Sequence, residues 1–419
     1  MKFDKLYAFD TRPLSALADI QTGPFGSQLH KEDYVENGTP IVTVEHLGNR
    51  VFTEQNLPCV SQTDRDRLSK YTLREGDIIF SRVGSVDRCS FVDKEHDGWM
   101  FSGRCLRVRP YGIIDPMFLY YFFCLESTKQ YVRNIAVGAT MPSINTKLLG
   151  EIPITFPHRN EQRRIASILA SIDDKIENNA KINENLSEQI HTLCNAWLND
   201  YTPFGGICPD DWELTPLSSI AMFISGYSYK GNELQESSVA MATIKNFDRH
   251  GGFKLDGYKE ILPSSKLKPE HHVAMFDTLV AHTDLTQNAE VIGNAEPVLS
   301  LSGYDDIIFS MDVVKVLPNN PEISKFLIAS ILQTQQFKGH CLGYVNGTTV
   351  LHLSKKALPE YLLMLPKDFS VLKPLDDAVS SMYQKMALNI DESVQLSKLR
   401  DSLLPRLMSG ELDVSNLDF

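Results

Sequence analysis

The sequence predicts an α+β fold. Two tandem domains, each a twisted and mostly antiparallel β-sheet with helices, are separated by two long helices that pair as an antiparallel coiled coil. Two observations predict this: the chain repeats itself imperfectly at a spacing of about 200–210 residues, and a seven-residue apolar period closes each repeat.

The repeat is read from stretches that keep the same order. Leu14 to Ile20, then Gly23, aligns with Leu217 to Phe223, then Gly226. Gly76 to Arg82 aligns with Phe276 to His282. Gly138 to Thr140, followed by Lys147, Leu149 and Pro157, aligns with Gly347 to Thr349, followed by Lys356, Leu358 and Pro366. Each repeat opens with a mixed segment, residues 1–157 and 202–367. Apolar runs such as Ile41 to Val44, Asp77 to Phe80 and Leu106 to Arg109 lie between Gly, Pro, Asn and Asp, and read as strands and turns. Helical stretches interrupt them, for example 116–133 and 322–339.

A long helical segment closes each repeat, 158–201 in the first and 368–419 in the second. In the first, Ile165, Ile172, Asn179, Leu186 and Leu193 recur every seven residues, with Leu169, Ile176, Asn183, Ile190 and Trp197 in the complementary positions. In the second, Leu375, Met382, Asn389, Leu396 and Leu403 do the same, complemented by Val379, Met386, Ser393, Arg400 and Leu407. An apolar stripe usually marks a helix packed on its own domain. Here the length, the strict period and the matched pair favour a coiled-coil seam. A helix of 35–40 residues spans roughly 50–60 Å, more than a small domain is wide. Asn179 and Asn389 occupy equivalent core positions, where a buried Asn costs stability but fixes register and partner. Antiparallel pairing would set equivalent domains at opposite ends of a rod, about a pseudo-twofold axis. Such a pair suits two separated half-sites on duplex DNA, with helix length setting the gap.

Bulk composition narrows the function. The 419 residues suit two or three folding units. Hydrophobic content of 42% and charged content of 22% are ordinary for a globular chain. No run reaches the roughly 18 apolar residues of a membrane span, and residues 1–10 show no apolar signal segment, which places the chain in the cytoplasm, off the membrane. The seven cysteines include no C-x-x-C pair and read as reduced thiols. No metal is expected: His271, His272 and His282 have no spaced carboxylate or thiol partners. The net charge of −12 excludes a protein that coats nucleic acid by charge alone. Residues 1–157 are nearly neutral, with 18 basic against 19 acidic side chains; the remainder holds 23 (41 − 18) against 34 (53 − 19). DNA contact must therefore come from local basic clusters. Enzyme signatures are absent from the sequence. There is no G-x-x-x-x-G-K-[ST] phosphate loop, no Asn/Asp-Pro-Pro-Tyr/Phe methyltransferase sequence and no G-x-S-x-G elbow, so no catalytic residue is assigned.

The chain resembles the specificity subunit of type I restriction-modification systems over nearly its whole length. The resemblance is carried by Gly23-Pro-Phe-Gly-Ser27 after an opening helix, Leu73 to Arg82, Glu161-Gln162 with Arg163 and Ile165, and Leu399 to Glu411. The second repeat departs from it: Gly226-Tyr-Ser-Tyr-Lys230 replaces the Gly-Pro-Phe-Gly run, and no Glu-Gln opens the helix near Lys373. The resemblance implies that the mixed segments are target-recognition domains and that the helices are spacers. It further implies docking of two modification subunits, which would carry S-adenosylmethionine and methylate adenine, and of restriction subunits whose motor uses ATP and Mg. This chain itself would be non-catalytic and bind no cofactor; the complex would act as a type I site-specific deoxyribonuclease and adenine DNA methyltransferase, and would recognise a bipartite, asymmetric target in double-stranded DNA.

Arg and Lys suit phosphates, and Arg, Asn, Gln, Ser and Thr suit base edges. The candidate DNA contacts in the first domain are Ser27, Arg82, Ser85, Arg88, Thr140, Ser143, Asn145 and Lys147. Those in the second are Tyr227, Tyr229, Lys230, His282, Thr283, Gln287, Thr348, Thr349, His352, Ser354, Lys355 and Lys356. Structural alternatives stand beside them: a tight turn for Gly23 to Gly26, an ion pair with Asp77 or Asp87 for Arg82, and core packing for the tyrosines. A coiled-coil adaptor without DNA binding, and a nuclease or methyltransferase with hidden motifs, are the competing functions.

Overall fold

The computed structural model describes residues 8–26, 28–48, 50–249 and 251–415; Ser27 lies outside the described residues. The chain divides into two compact units. The first runs to Lys175 and regains the chain at Leu396; the second runs from Ile176 to Gln395. Each long helix therefore contributes to both.

The first unit is built on an antiparallel sheet in the order Ala18–Thr22, Cys105–Pro110, Ile78–Ser81, Cys89–Phe91. A smaller sheet orders Tyr34–Val35, Cys59–Val60, Thr39–Val42 and Met100–Phe101, its last pair parallel. The second unit repeats this plan. Ala221–Ser225, Val313–Pro318, Thr278–Ala281 and Ala295–Pro297 form the antiparallel sheet. Val239–Ala242 again has a parallel neighbour, Asp306–Phe309. The helix expected before Gly23 is corrected: Leu14–Ala16 makes one 3-10 turn and Ala18–Thr22 is a strand. Ladder pairing from Ala18↔Pro110 to Thr22↔Leu106 outweighs local helix propensity. The stretch 116–133 is two helices, Pro116–Cys124 and Glu126–Ile135, separated at the extended Leu125.

The long helices are Arg159–Leu198 and Lys373–Ser409. In the first unit, Ile165, Ala166 and Leu169 share one apolar core with Leu404, Leu407 and Met408, and with Phe118 and Tyr121 of the recognition-domain helix. In the second unit, Ile190, Cys194 and Leu198 share a core with Leu375, Val379 and Tyr383. Among the seam residues, Ile165, Leu169, Ile172, Asn179, Ile190, Val379 and Asn389 are buried. Ile176, Leu186, Leu193, Met382, Met386, Leu396 and Leu403 are partly buried. Tyr383, Ala387 and Cys194, off the heptad positions, are also enclosed, because each helix packs on its domain as well as on the other helix.

The buried asparagines show how the seam is keyed. Asn179 Nδ2 donates to Ser393 Oγ (3.2 Å), Glu392 Oε2 (2.9 Å) and the main-chain carbonyl of Asn389 (3.3 Å). Asn389 Nδ2 donates to Asn183 Oδ1 (2.8 Å), and Asn183 Nδ2 to the Met386 carbonyl (3.1 Å). Partners rise along one helix as they fall along the other, so the pairing is antiparallel. The 210-residue step that carries Asn179 to Asn389 also carries Asn183 to Ser393. Asn179–Ser393 and Asn389–Asn183 are thus one contact made twice. A one-turn slip would bury all these amides unpaired, at about 1–3 kcal/mol for each.

A second polar link ties the second domain to its helix. Glu296 accepts from the Gly252 amide (2.7 Å) and from Gln333 Nε2 (2.9 Å), while Gln333 Oε1 accepts from the Tyr383 hydroxyl (2.7 Å). Burial pushes the Glu296 carboxyl from an ordinary value near 4.5 up to about 7. The folded state then holds a proton that the unfolded chain has released. This group's contribution to stability is fully present below about pH 4.5 and is lost as pH rises through 7, by on the order of 3 kcal/mol for a shift of this size. Thermal melts of Glu296→Gln between pH 5 and 8 should be flatter than those of the parent. Parallel curves would assign the proton elsewhere.

Candidate nucleic-acid interface

In the first domain three loops meet at one end of the main sheet. The strand Ile78–Ser81 is anchored at its start by buried Asp77, which takes a bidentate pair from Arg109 (2.7 Å twice) and the Arg74 amide (2.8 Å). It delivers Arg82 to the sheet end. The Arg82 guanidinium donates to the Gly103 carbonyl (3.0 Å) and lies 5.7 Å from the centroid of Phe25. Asp77 pairs with Arg109 and Asp87 with Arg133 (2.5 Å), so neither of the anticipated carboxylates takes Arg82. The turn 82–88 binds the loop 137–144 through Gly84 N–H to Pro142 (2.8 Å) and Ile144 N–H to Arg82 (3.0 Å). The Gly-Pro-Phe-Gly loop completes the edge. A Cβ on Gly23 would stand 2.1 Å from the Ser102 carbonyl oxygen, so this glycine is required by close approach and not by a positive φ.

The second domain builds the same edge with different side chains. A Cβ on Gly226 would also stand 2.1 Å from a carbonyl, that of Ser310. Asp277 takes the Ala274 amide (3.0 Å) and Lys325 Nζ (2.5 Å), as Asp77 takes its partners. The strand Thr283–Asp284 pairs with Leu351–Leu353, which aligns Thr283 with His352. Asp284 closes the following loop by accepting from Thr286 N–H, Thr286 Oγ1 and Val291 N–H (2.8 Å each). Burial, then the charges of His352 and Lys355, pull the His282 imidazole below its ordinary value.

The expected contacts divide clearly. Arg82, Ser85, Arg88, Thr140 and Ser143 come together on the first edge; Ser143 also donates to the Val137 carbonyl (3.1 Å). Lys147 is exposed on the short helix Thr146–Gly150, while Asn145 caps that helix by accepting from Leu148 N–H (2.9 Å). On the second edge, His282, Thr348, Thr349, His352, Ser354, Lys355 and Lys356 gather around the strand Leu351–Leu353, all but His282 and Ser354 exposed. Gln287 reaches the Thr348 carbonyl (2.6 Å). Tyr227 and Thr283 are instead enclosed, 1% and 4% exposed. Tyr227 donates to Glu233 (3.1 Å) and meets Ser264 (2.9 Å), and so belongs to a small core with Tyr229 packed beside it. Lys230 is exposed nearby. Sequence reasoning missed exposed Arg104, whose carbonyl accepts from the Arg82 amide (2.8 Å), and exposed Phe25, Met141, Leu285 and Met311. Among the described residues no cluster of three metal-ligating side chains occurs, and no helix is long and apolar enough to cross a membrane.

Comparison with known proteins agrees with this architecture. Residues 8–188 match the family model of the type I restriction modification DNA specificity domain. The chain is 22% identical to the HindI specificity subunit of Haemophilus influenzae, over 90% of this chain and 95% of that protein. It is 23% identical to the MjaIX specificity subunit of Methanocaldococcus jannaschii, over 73% and 71% of the two chains. The crystal structure of a type I restriction-modification S subunit from M. genitalium superposes with a TM-score of 0.59, at 18% identity, covering 97% of this chain and 98% of that one, and shares its fold. With a specificity-domain match over residues 8–188 and relatives aligned over most of its length, the chain is similar to the specificity subunits of type I restriction-modification systems.

Proposed function

We propose that the chain reads a bipartite, asymmetric target in double-stranded DNA, one half-site per domain, and docks two modification subunits and the restriction subunits, in the cytoplasm. It performs no bond-making itself; S-adenosylmethionine, ATP and Mg act on the partners. The observation that carries this reading is the duplicated loop edge. Two homologous frames, keyed by Gly23 and Gly226, present different side chains: Arg82 and Arg88 in one, His282, His352 and Lys355 in the other. One frame with two side-chain sets suits two unlike half-sites. Mapping methylated adenines in the host genome tests it. A split motif with a fixed gap is expected, and a contiguous motif would refute it. The seam adds a second test. Removing one heptad from each long helix while keeping the Asn179 and Asn389 contacts should shorten the preferred gap by about three base pairs, at 1.5 Å per residue and 3.4 Å per base pair. An unchanged gap would end the idea that helix length measures the spacer.

A further inference from the structure

Phe25 is 55% exposed, and its backbone is bonded into the domain edge. Its carbonyl accepts from Gln28 N–H (2.8 Å) and Leu29 N–H (3.2 Å), and Pro24 before it has a fixed φ. The loop is seated on Gly103, where a Cβ would stand 2.2 Å from the Pro24 carbonyl oxygen. The guanidinium of Arg82 lies beside the ring, tethered by that same Gly103. Val137 and Met141, 63% and 64% exposed, stand on the loop bonded to the turn after Arg82. Three large apolar side chains thus stand exposed on the loops of one edge. Such a cluster implies a covering surface. Exposed Arg88, on the turn after Arg82, and exposed Arg104, bonded through its carbonyl to the Arg82 amide, demand that the cover be anionic as well. Duplex DNA meets both demands, because phosphates flank apolar base faces that a side-chain wedge can reach.

We propose that Phe25 is a wedge which the first domain inserts at one base step of its half-site, unstacking that step while Arg82 and its neighbours hold the flanking phosphates. The inference rests on the DNA-reading function above. The second domain is built otherwise. Its Gly226 packs on Ser310, and the next residue is Met311, 57% exposed, where the first domain has Gly103 beneath Phe25. Counted from the paired glycines, Ser228 stands where the first domain has Phe25, and Tyr227 and Tyr229 pack in a small core, so unstacking is confined to one half-site.

The test uses the full chain assembled with its modification subunits and target duplexes carrying 2-aminopurine at successive positions. The parent should brighten the probe at one step of one half-site, besides any signal at the methylated adenine. Phe25→Ala should abolish that brightening and weaken target binding about tenfold, with an unchanged melting curve. Phe25→Trp should retain it. Phe25→p-benzoylphenylalanine should crosslink to a base at the same step, which keeps the test decisive if the alanine variant binds too weakly to read. Bound DNA with no Phe25-dependent brightening, or no crosslink to a base, overturns the wedge and leaves the reading function standing. A parent complex that binds no DNA overturns the reading function itself.

Discussion

Replacing Asp173 with alanine should destabilise the first unit by about 3 kcal/mol, the size expected when one partner of a buried charged network is removed. Asp173 sits on the first long helix and is 6% exposed. It accepts from the Tyr121 hydroxyl (2.7 Å) of the recognition-domain helix and from Arg400 Nη1 (2.7 Å) of the second long helix. One carboxylate therefore joins three helices. Its removal takes the carboxylate acceptor from the Tyr121 hydroxyl, whose residue is 1% exposed, and leaves Arg400 only the exposed Asp401 (2.8 Å). That residual partner, and the partial exposure of Arg400, hold the loss below the upper end for buried pairs. Asp173→Asn keeps an acceptor for Tyr121 and should lose about half as much. Hydrogen exchange provides the measurement: protection should fall in Pro116–Cys124 and not in Lys325–Leu332 of the second unit. Equal deprotection of both helices would show that the network is not local. One repeat later the same position is Tyr383, which donates to Gln333. Each repeat thus locks its long helix with a polar contact at that place, with donor and acceptor exchanged.

That exchange explains what the sequence could and could not disclose. The heptads were legible because a seven-residue period is a local property, and the domain repeat because glycines at close approaches resist substitution. Polar locks were not legible, because only geometry defines them. Gln162 accepts from the Asp115 amide (2.7 Å), so the first turn of the long helix braces the cap of the recognition-domain helix. In the second repeat, which lacks the Glu-Gln pair, Asp376 accepts from the Ser324 amide (3.2 Å) and hydroxyl to brace the equivalent cap. The alignment of Phe276 with Gly76 concealed a shared left-handed backbone, φ +67° and φ +88°. A phenylalanine there bears strain that ring packing on Phe326 (4.8 Å) offsets. At the reading edges, residue type alone could not separate an exposed Lys147 from an Asn145 consumed as a helix cap, nor the enclosed Tyr227 from a surface tyrosine. The exposure of Phe25 was not legible either, because an aromatic residue type ordinarily predicts core.

Gly23→Ala and Gly226→Ala should each remove one half of the target from recognition while sparing the other. The added methyl would stand 2.1 Å from the Ser102 carbonyl oxygen in one case and the Ser310 carbonyl oxygen in the other. In both cases the opposing atoms are backbone, so no rotamer change relieves the clash. In the first domain the clash pushes apart the Gly23 amide and the Cys105 carbonyl, now 3.2 Å from each other, and unseats Phe25 from Arg82. In the second it breaks the paired bonds Tyr227 N–H to Phe309 (2.7 Å) and Met311 N–H to Tyr227 (3.0 Å). Losses of this kind, with strain added, amount to about 2–4 kcal/mol at the edge, or roughly 30- to 1,000-fold in affinity where the edge must be intact to bind. Anisotropy titrations of the assembled complex against targets with one half-site scrambled separate the two effects. Gly23→Ala should become indifferent to scrambling of the first domain's half-site and stay sensitive to the other; Gly226→Ala should do the reverse. If either glycine variant loses discrimination at both half-sites together, the two edges do not read independently, and the duplicated frame serves assembly instead of sequence choice.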